Sequence, residues 1–249
     1  MILASIVLAT LAGGLLSVGA AALLSFGILE RWAPRMVSYA VGVLLGAVFL
    51  DLLPEAVNAL GPEDVLATCL AGILTFFVLE KLALWRHAHV GGGHAHAHPA
   101  RAAGPMIILG DGLHNFVDGV LIAAAFLADP SLGWAVAMGV IAHEILQEVG
   151  DFMVLVSVGY SRRKALAPNA LSGAAAVLGG ILGWAALTRA EAMLPYVLAF
   201  SAASFIYVAV ADLIPELHRR WAPGEAIAQV ALIGAGVATL HAVHGIAHG

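Results

Sequence analysis

Two polar stretches that interrupt long apolar runs decide the fold: Asp111-Gly-Leu-His114-Asn115-Phe-Val-Asp118-Gly119 and His143-Glu144-Ile-Leu-Gln147-Glu148-Val-Gly-Asp151. Within each stretch the polar residues recur at helical spacing, so that on a helix they share one face. Ionisable groups inside an apolar span are costly and usually have a function. Two adjacent helices with these faces opposed would surround a cation with imidazole nitrogens and carboxylate oxygens. The pair therefore predicts a metal path through a membrane.

The composition is that of an integral membrane protein. The 249 residues are 61% hydrophobic and only 11% charged, whereas a soluble domain carries about a quarter charged residues. The apolar runs can cross a hydrocarbon core about 30 Å thick, and none alternates like a strand of an outer-membrane barrel. The lipid bilayer is thus an expected partner, and nothing in the formal charge of −5 indicates nucleic acid. The single cysteine, Cys69, excludes an intramolecular disulfide and a metal site built of cysteines.

The apolar runs predict one all-α transmembrane domain of eight helices over residues 1–249. The predicted helices cover about 3–29, 36–58, 65–85, 105–127, 132–158, 167–187, 194–217 and 226–246. No basic residue precedes the first run, which is a full span long, so we expect a retained helix rather than a cleaved signal peptide. Span 6 is rich in Gly and Ala, which suits close helix packing in lipid.

A histidine-rich loop is predicted between spans 3 and 4, at residues 87–103. Its histidines stand among Gly and Ala, which could not form a packed core. They are His87, His89, His94, His96 and His98. Such a loop could bind cytoplasmic metal weakly and adaptably; the alternative is a low-complexity linker with no role in metal binding.

The basic residues predict the topology. With eight spans, every Lys and Arg except Arg189 falls on the side of the loops that follow spans 1, 3, 5 and 7. The positive-inside rule places that side in the cytoplasm and both termini outside it. We expect the plasma (inner) membrane of a bacterium.

A short sequence occurs twice, as Asp51-Leu-Leu-Pro54-Glu55 in span 2 and as Asp212-Leu-Ile-Pro215-Glu216 in span 7. The two spans cross the membrane in opposite directions, so spans 1–3 and 6–8 would be inverted repeats around the pair 4–5, a 3+2+3 arrangement common in transporters. Proline within a span leaves a carbonyl without its partner and kinks the helix. Asp51 and Asp212 are therefore candidates for a metal pathway.

The polar faces of spans 4 and 5 have the chemistry of a divalent-metal site. Imidazole and carboxylate suit Zn²⁺ and neighbouring first-row metals, and the lack of thiolate argues against Cu(I). The residues one helical turn apart are His114 with Asp118 and His143 with Gln147. A step around each helix lie Asn115, Glu144 and Glu148, which could hold a second ion or accept protons.

Asp111 and Asp151 lie further along the same faces. They could line the pathway, or they could cap the structure. For the whole set, the alternative to metal binding is that the polar groups only satisfy one another between the helices.

The two stretches resemble the signatures of the ZIP (Zrt-, Irt-like) divalent metal transporters. The matching residues are His114-Asn-Phe-x-Asp118-Gly119 in span 4 and His143-Glu-Ile-x-x-Glu148 in span 5. The continuation Glu148-Val-Gly-Asp151-Phe is most similar to the branch with a His-Glu-x-Pro-His-Glu motif, here of bacterial type. The resemblance covers essentially the whole chain, including the eight spans, the histidine-rich loop and the Asp-Leu-Ile-Pro-Glu segment of span 7.

This resemblance implies uptake of zinc, and often of iron, manganese or cadmium, into the cytoplasm. It implies a 3+2+3 fold, frequently as a homodimer, in which a bundle carries one or two ions past a scaffold. By the match of motifs, three residues are primary ligands and two are ligands of a second ion. The primary ligands are His114, Asp118 and His143; the second-ion ligands are Asn115 and Glu144. Gln147 stands at a further ligand position, and Glu148 follows it.

The chain departs from the family pattern at two points. Gln147 replaces the usual His or Glu, and an amide oxygen is a weaker, uncharged ligand, which bears on affinity and metal preference. Val117 and Leu146 replace prolines common in these motifs, so we expect shallower kinks in spans 4 and 5.

Three functions are considered for this site. The leading one is a divalent metal importer rather than an enzyme. The second is an intramembrane zinc metalloprotease, because His143-Glu144-x-x-Gln147 differs by one residue from the His-Glu-x-x-His motif whose Glu is the general base. The missing second His counts against it. The third is a metal sensor or membrane scaffold that binds metal without transporting it.

Overall fold

The computed structural model describes residues 1–24, 33–90, 99–157, 160–218 and 223–248. In these ranges the chain forms helices and no strands, which confirms the all-α prediction. Six of the eight long helices are uninterrupted: α1 (Ile2–Leu24), α3 (Pro62–Val90), α4 (Pro99–Ala128), α5 (Pro130–Ser157), α6 (Arg162–Leu187) and α8 (Pro223–His248). The other two have three segments each: α2 (Ala33–Gly46, Ala47–Leu52 and Leu53–Leu60) and α7 (Leu194–Tyr207, Val208–Leu213 and Ile214–His218).

The helices begin where the local sequence favours a helix start. α3, α4, α5 and α8 each have proline as their first residue, where the missing N–H would be unsatisfied in any case. Between α4 and α5 the single residue Asp129 makes the turn, and its carboxylate accepts hydrogen bonds from the backbone N–H groups of Ser131 (2.8 Å) and Leu132 (3.2 Å). The two helices that carry the polar stretches therefore form a tight antiparallel hairpin.

Seven of the described helices are long and apolar enough to cross a membrane. The exception is α5, which has 28 residues and is long enough for a span. Its mean hydropathy is lowered by the polar stretch that begins at His143. The protein is thus an integral membrane protein, and the polar stretch of α5 carries half of the candidate site.

The histidine-rich loop was predicted too long. α3 continues to Val90 and α4 begins at Pro99, so both ends of the predicted loop 87–103 are helical. The reason is that the sequence around 82–90 contains Leu, Ala and Arg, which are good helix formers. His87 and His89 therefore have helical backbone, while His94, His96 and His98 lie outside the described residues.

The repeated Asp-Leu-[Leu/Ile]-Pro-Glu sequence adopts the same local structure in both copies. A π-helical segment of six residues precedes the proline, Ala47–Leu52 in α2 and Val208–Leu213 in α7. In each segment the aspartate is the fifth residue. Proline has no N–H for the carbonyl four residues earlier and its ring crowds that carbonyl. The wider π turn accommodates this locally, where the sequence alone predicted a kink.

The helix contacts have the symmetry expected of a 3+2+3 repeat. Exchanging α1 with α6, α2 with α7, α3 with α8 and α4 with α5 converts the main contacts into one another. The contact of α1 with α5 becomes that of α6 with α4, the contact of α2 with α8 becomes that of α7 with α3, and the contact of α2 with α5 becomes that of α7 with α4.

These contacts divide the molecule into two groups of four helices. We call α1, α4, α5 and α6 the inner group, since it contains both polar stretches, and α2, α3, α7 and α8 the outer group. The groups meet where α5 packs on α2 and α8 and where α4 packs on α7.

Glycines bring α6 very close to α4 and α1. A Cβ atom at Gly119 of α4 would overlap the carbonyl oxygen of Ala176, and one at Gly179 of α6 would overlap the carbonyl oxygen of Phe116. On the other side of α6, Gly173 packs against Gly14 of α1. This is the close packing by small residues that the composition of span 6 predicted, and it is typical of helices in lipid.

Candidate metal site

The polar faces of α4 and α5 oppose each other, as the sequence predicted. The Nε2 atoms of His114 and His143 are 3.2 Å apart. Asp118 Oδ2 lies 3.0 Å from His143 Nε2. Because these contacts cross the hairpin, side chains separated by 29 residues in the chain converge on one point.

Four of these side chains form a group that we call the first group: His114, Asp118, His143 and Glu144. Its ligand atoms, two nitrogens and two carboxylate oxygens, all lie within 4.8 Å of one another. In addition to the two distances above, three separations are 3.6 Å: His114 to Asp118, His114 to Glu144, and His143 to Glu144. Around a tetrahedral Zn²⁺ with bonds of 2.0–2.2 Å, ligand atoms are about 3.4 Å apart. Four ligand atoms form six pairs, and in five of these pairs the distance is therefore close to that between ligands of a tetrahedral zinc ion.

The side chains of the first group do not supply all of one another's hydrogen bonds. Asp118, His143 and Glu144 are buried, and only His114 is partly exposed, with 20% of its side chain accessible. Apart from the imidazole contacts, the carboxylate oxygens of Asp118 have no hydrogen-bond partner among the described residues, and the Asn115 amide lies beside the Glu144 carboxylate. An uncompensated buried carboxylate is costly. This observation favours metal binding over the alternative that the polar groups only pair with one another.

The His143 ring is held so that one nitrogen faces the group. Its Nδ1 atom lies 3.0 Å from the carbonyl oxygen of Gly139. Since a carbonyl can only accept, Nδ1 is assigned as the N–H donor, and the neutral ring then presents the lone pair of Nε2. The Phe205 ring of α7 packs edge-on at a centroid distance of 5.7 Å. A candidate ligand of the inner group is thus in contact with a helix of the outer group.

Three buried carboxylates form a second group: Asp111, Glu144 and Glu148. Glu144 belongs to both groups, so the two groups are adjacent. Carboxylates gathered this closely disfavour one another's charge unless a cation or donors compensate them. The second group therefore has the composition of a site for a cation that prefers oxygen ligands.

Neutral donors surround the second group. The amide nitrogens of Asn115 and Gln147 both contact Oδ1 of Asp111, at 3.1 and 3.2 Å. Because a carboxylate oxygen accepts, these contacts fix which end of each amide faces Asp111. The hydroxyl of Ser172, on α6, donates to Oε1 of Glu148 at 2.5 Å.

Two predicted residues have contacts that the sequence did not indicate. The amide nitrogen of Gln147 contacts Asp111, and the ligand role predicted for its amide oxygen stays a prediction. Asp111 belongs to the second group, and its predicted role in lining a pathway or capping the structure also stays a prediction. Its position three residues before His114 placed it on the correct face, and the sequence did not show how close to Glu148 that face would bring it. Ser172 was missed altogether, because only the packing of α6 brings it to the site.

The remaining predicted pathway residues lie outside the two groups. Asp51 is buried in the π segment of α2, and Asp151 is partly buried on α5, three residues after Glu148. The Asp212 backbone lies in the π segment of α7, while its side chain and those of the five loop histidines lie outside the described side chains. A pathway role for all of these residues stays a prediction.

Burial differs on the two sides of the site. Towards Asp129, the residues of α4 that follow the first group, 121–126, are all at most 2% exposed. On the opposite side, Gln147 and Asp151 of α5 are partly exposed. Among the described side chains, those towards the α4–α5 turn close the site, and partial exposure occurs at Gln147 and Asp151 on the opposite side.

Comparisons with known proteins point to one family. The family model described as ZIP Zinc transporter matches residues 86–244, which include both polar stretches. Zinc transporter ZIP13 of Pongo abelii is 33% identical over 225 residues, covering 83% of this chain and 65% of that protein. Zinc transporter ZIP13 of Homo sapiens is 32% identical over 260 residues, covering 83% of this chain and 69% of that protein. Zinc transporter ZIP10 of Homo sapiens is 36% identical over 141 residues, or 53% of this chain, but only 17% of that protein is covered.

The chain thus spans about two thirds of the length of these ZIP13 relatives. The family match covers more than half of the chain and contains every residue of the first and second groups. This chain belongs to the ZIP zinc transporter family.

Proposed function

We propose that the protein carries a divalent transition metal, in the first place zinc, across the membrane into the cytoplasm through the site between α4 and α5. The observation that carries this proposal is the first group, in which two imidazoles and two carboxylates stand at the separations of a zinc tetrahedron in a buried setting. The names of the relatives support zinc among the metals that such a site could hold.

The arrangement of the groups suggests how an ion moves. A cation in the first group exchanges its water shell for His114, Asp118, His143 and Glu144. Because Glu144 also belongs to the second group, the ion can pass to Asp111 and Glu148 without losing all of its ligands. The second group offers only oxygen, which zinc prefers less than imidazole. Its binding is therefore weak enough to release the ion on the accessible side.

The predicted topology indicates which side of the membrane the more exposed end of the site faces. The positive-inside rule assigns the accessible side, where α4 begins and α5 ends, to the cytoplasm. The conformation described is then the one that faces inwards. Uptake of cadmium, iron or manganese, a homodimer and a bacterial inner membrane remain predictions; the relatives named above are animal proteins.

The metalloprotease alternative is disfavoured by the position of Gln147. In a His-Glu-x-x-His motif the last residue supplies a ligand nitrogen, whereas the amide nitrogen of Gln147 is a donor directed at Asp111. The members of the family to which the chain belongs are named as transporters. A sensor that binds without transport is the alternative that needs an experiment.

The test is metal entry into proteoliposomes loaded with a fluorescent chelator. Zn²⁺, Cd²⁺, Mn²⁺ and Fe²⁺ are compared for the wild type, for His143→Ala and for the control His241→Ala, which removes an exposed histidine of α8. We expect saturable zinc entry that is lost in His143→Ala and kept in the control. Tight zinc binding without entry of any metal would contradict transport and support a sensor.

A further inference from the structure

Ser172 lies outside both polar stretches and on neither helix of the hairpin. Its side chain is buried, with 2% of the residue exposed, and it belongs to α6. Its hydroxyl donates to Oε1 of Glu148, which is itself fully buried. A third helix therefore reaches into the second group.

The contact of Ser172 differs from those of Ser17 and Ser201, two other serines buried within helices. The hydroxyl of Ser17 donates to the carbonyl oxygen of Gly14 (3.1 Å), and that of Ser201 donates to the carbonyl oxygen of Val197 (2.6 Å). These hydroxyls satisfy themselves within their own helix, which is the usual arrangement for serine in an apolar helix. The Ser172 hydroxyl instead contacts carboxylates of the hairpin: it donates to Glu148 of α5 and lies within hydrogen-bonding reach of Asp111 of α4.

The backbone around Ser172 is held in place by close packing. The next residue, Gly173, packs directly on Gly14 of α1, and two turns later Gly179 packs on Phe116 of α4. A shift of α6 would therefore meet backbone on both sides. The hydroxyl is thus a donor in a fixed position rather than a side chain that follows Glu148.

We propose that Ser172 is a positioning residue for the second ion: its hydroxyl holds one oxygen of Glu148 so that the carboxylate faces Asp111 and Glu144. The inference rests on the proposed function and adds a residue that determines the affinity of the second group. Hydrogen bonds to an ionised carboxylate are short and strong. Partners that orient metal ligands in this way change metal affinity by about 10- to 100-fold when they are removed.

The test compares Ser172→Ala, Ser172→Thr and the control Ser17→Ala in the full chain, purified in detergent. Zinc binding is measured by equilibrium titration, and cadmium NMR distinguishes an ion with nitrogen ligands from an ion with oxygen ligands only. We expect two ions in the wild type. Ser172→Ala should weaken the oxygen-only ion by about 10- to 100-fold and leave the other ion unchanged. Ser172→Thr, which keeps the hydroxyl, should restore the affinity, and Ser17→Ala should behave as the wild type.

Three results would overturn the inference. One is an unchanged second affinity in Ser172→Ala. Another is an equal loss at both ions together with a lower melting temperature, which would indicate a general structural role. The third is a wild type that binds a single ion. The proposed function is tested separately: wild-type protein that shows no flux refutes transport, even if Ser172→Ala selectively loses the second ion.

Discussion

Gln147 is an amide at a position where a His or Glu is usual in the family, and its nitrogen acts as a donor. A His or Glu at this point would bring a further ligand to the ions, but the amide places an N–H against Asp111, 3.2 Å from its Oδ1. Together with Asn115 it gives that oxygen two donors. In a cluster of three buried carboxylates, a neutral donor lowers the cost of the metal-free state.

The variant Gln147→Glu should reverse this effect. It replaces a donor by a carboxylate that faces Asp111. The free energy of unfolding of the metal-free protein should therefore fall by about 1.5–3 kcal/mol, the usual contribution of a hydrogen bond to a charged group. Saturating zinc should restore part of the loss, because a cation compensates the added charge. Thermal unfolding with and without zinc measures both quantities. The control is Gln229→Glu on α8, which removes an amide that donates to the carbonyl oxygen of Leu217. A loss of the same size with and without zinc would contradict the assignment.

Glu144 is the one residue that the two groups share, and this gives a second prediction. Glu144→Gln should weaken the binding of both ions, by more than about tenfold each, since a coordinating oxygen loses its charge. Asp118→Asn should weaken only the ion of the first group, and Asp111→Asn only the ion of the second. Equilibrium titration with zinc separates these patterns. If Glu144→Gln affected a single ion, the two groups would not be bridged.

At the scale of the helices, the contact between α4 and α6 sets the geometry of both groups. Gly119 lies one residue after Asp118, and its lack of a side chain lets α6 approach the face that carries the ligands. Gly119→Ala should therefore lower the free energy of unfolding by about 1–3 kcal/mol, the range for overpacking. It should also lower the affinity for metal, because α4 must move away from α6. Melting temperature and zinc titration measure the two effects.

The control for this change is Gly112→Ala, also on α4. A Cβ atom there meets nothing within 4 Å. The free energy of unfolding should therefore rise by about 0.5–1 kcal/mol, because alanine is less flexible than glycine in the unfolded chain. A Gly119→Ala variant as stable as the wild type would show that the helices can separate without cost.

The helices and their polar faces could be predicted from the sequence. Hydrophobic runs gave the number and order of the helices, and the helical spacing of His114 and Asp118 gave the face that meets α5. These features are local, and local periodicity specifies them. The repeat around Pro54 and Pro215 was visible too, but the π segments before them were not, since a proline can be accommodated in several ways.

The parts that the sequence could not predict depend on distant residues. Ser172 stands in an unremarkable Gly- and Ala-rich helix, and only the tertiary packing of α6 directs its hydroxyl to Glu148. The use of Gln147 as a donor follows from the position of Asp111, 36 residues earlier. The end of α3 was misjudged for a different reason: low complexity around His87 and His89 indicated a loop, while helix propensity favoured continuation.

For the whole molecule, the division into an inner and an outer group suggests which contacts persist during transport. Cys69 of α3 is buried, and its thiol donates to the carbonyl oxygen of Ala199 of α7 (3.2 Å). Both helices belong to the outer group. If the groups move as bodies, this contact stays closed throughout the cycle.

Maleimide labelling of Cys69 measures this directly, because the chain has no other cysteine. We expect equally slow labelling in proteoliposomes with and without zinc turnover, and fast labelling only after unfolding. Glu63→Cys, at an exposed position near the start of α3, gives the rate of an accessible thiol in the same helix. Labelling of Cys69 that accelerates when zinc is transported would mean that α3 separates from α7 and that the outer group is not rigid.

The symmetry of the helix contacts has a thermodynamic consequence. A conformation in which each half takes the arrangement now held by the other would contain the same kinds of contacts: α6 would pack as α1 does, and α7 as α2 does. Two such conformations are nearly degenerate, and we expect them to differ by no more than a few kcal/mol, so that both are populated. A cation bound more tightly in one of them would then be enough to shift the balance. The duplicated architecture would let the chain alternate without a nucleotide to drive it.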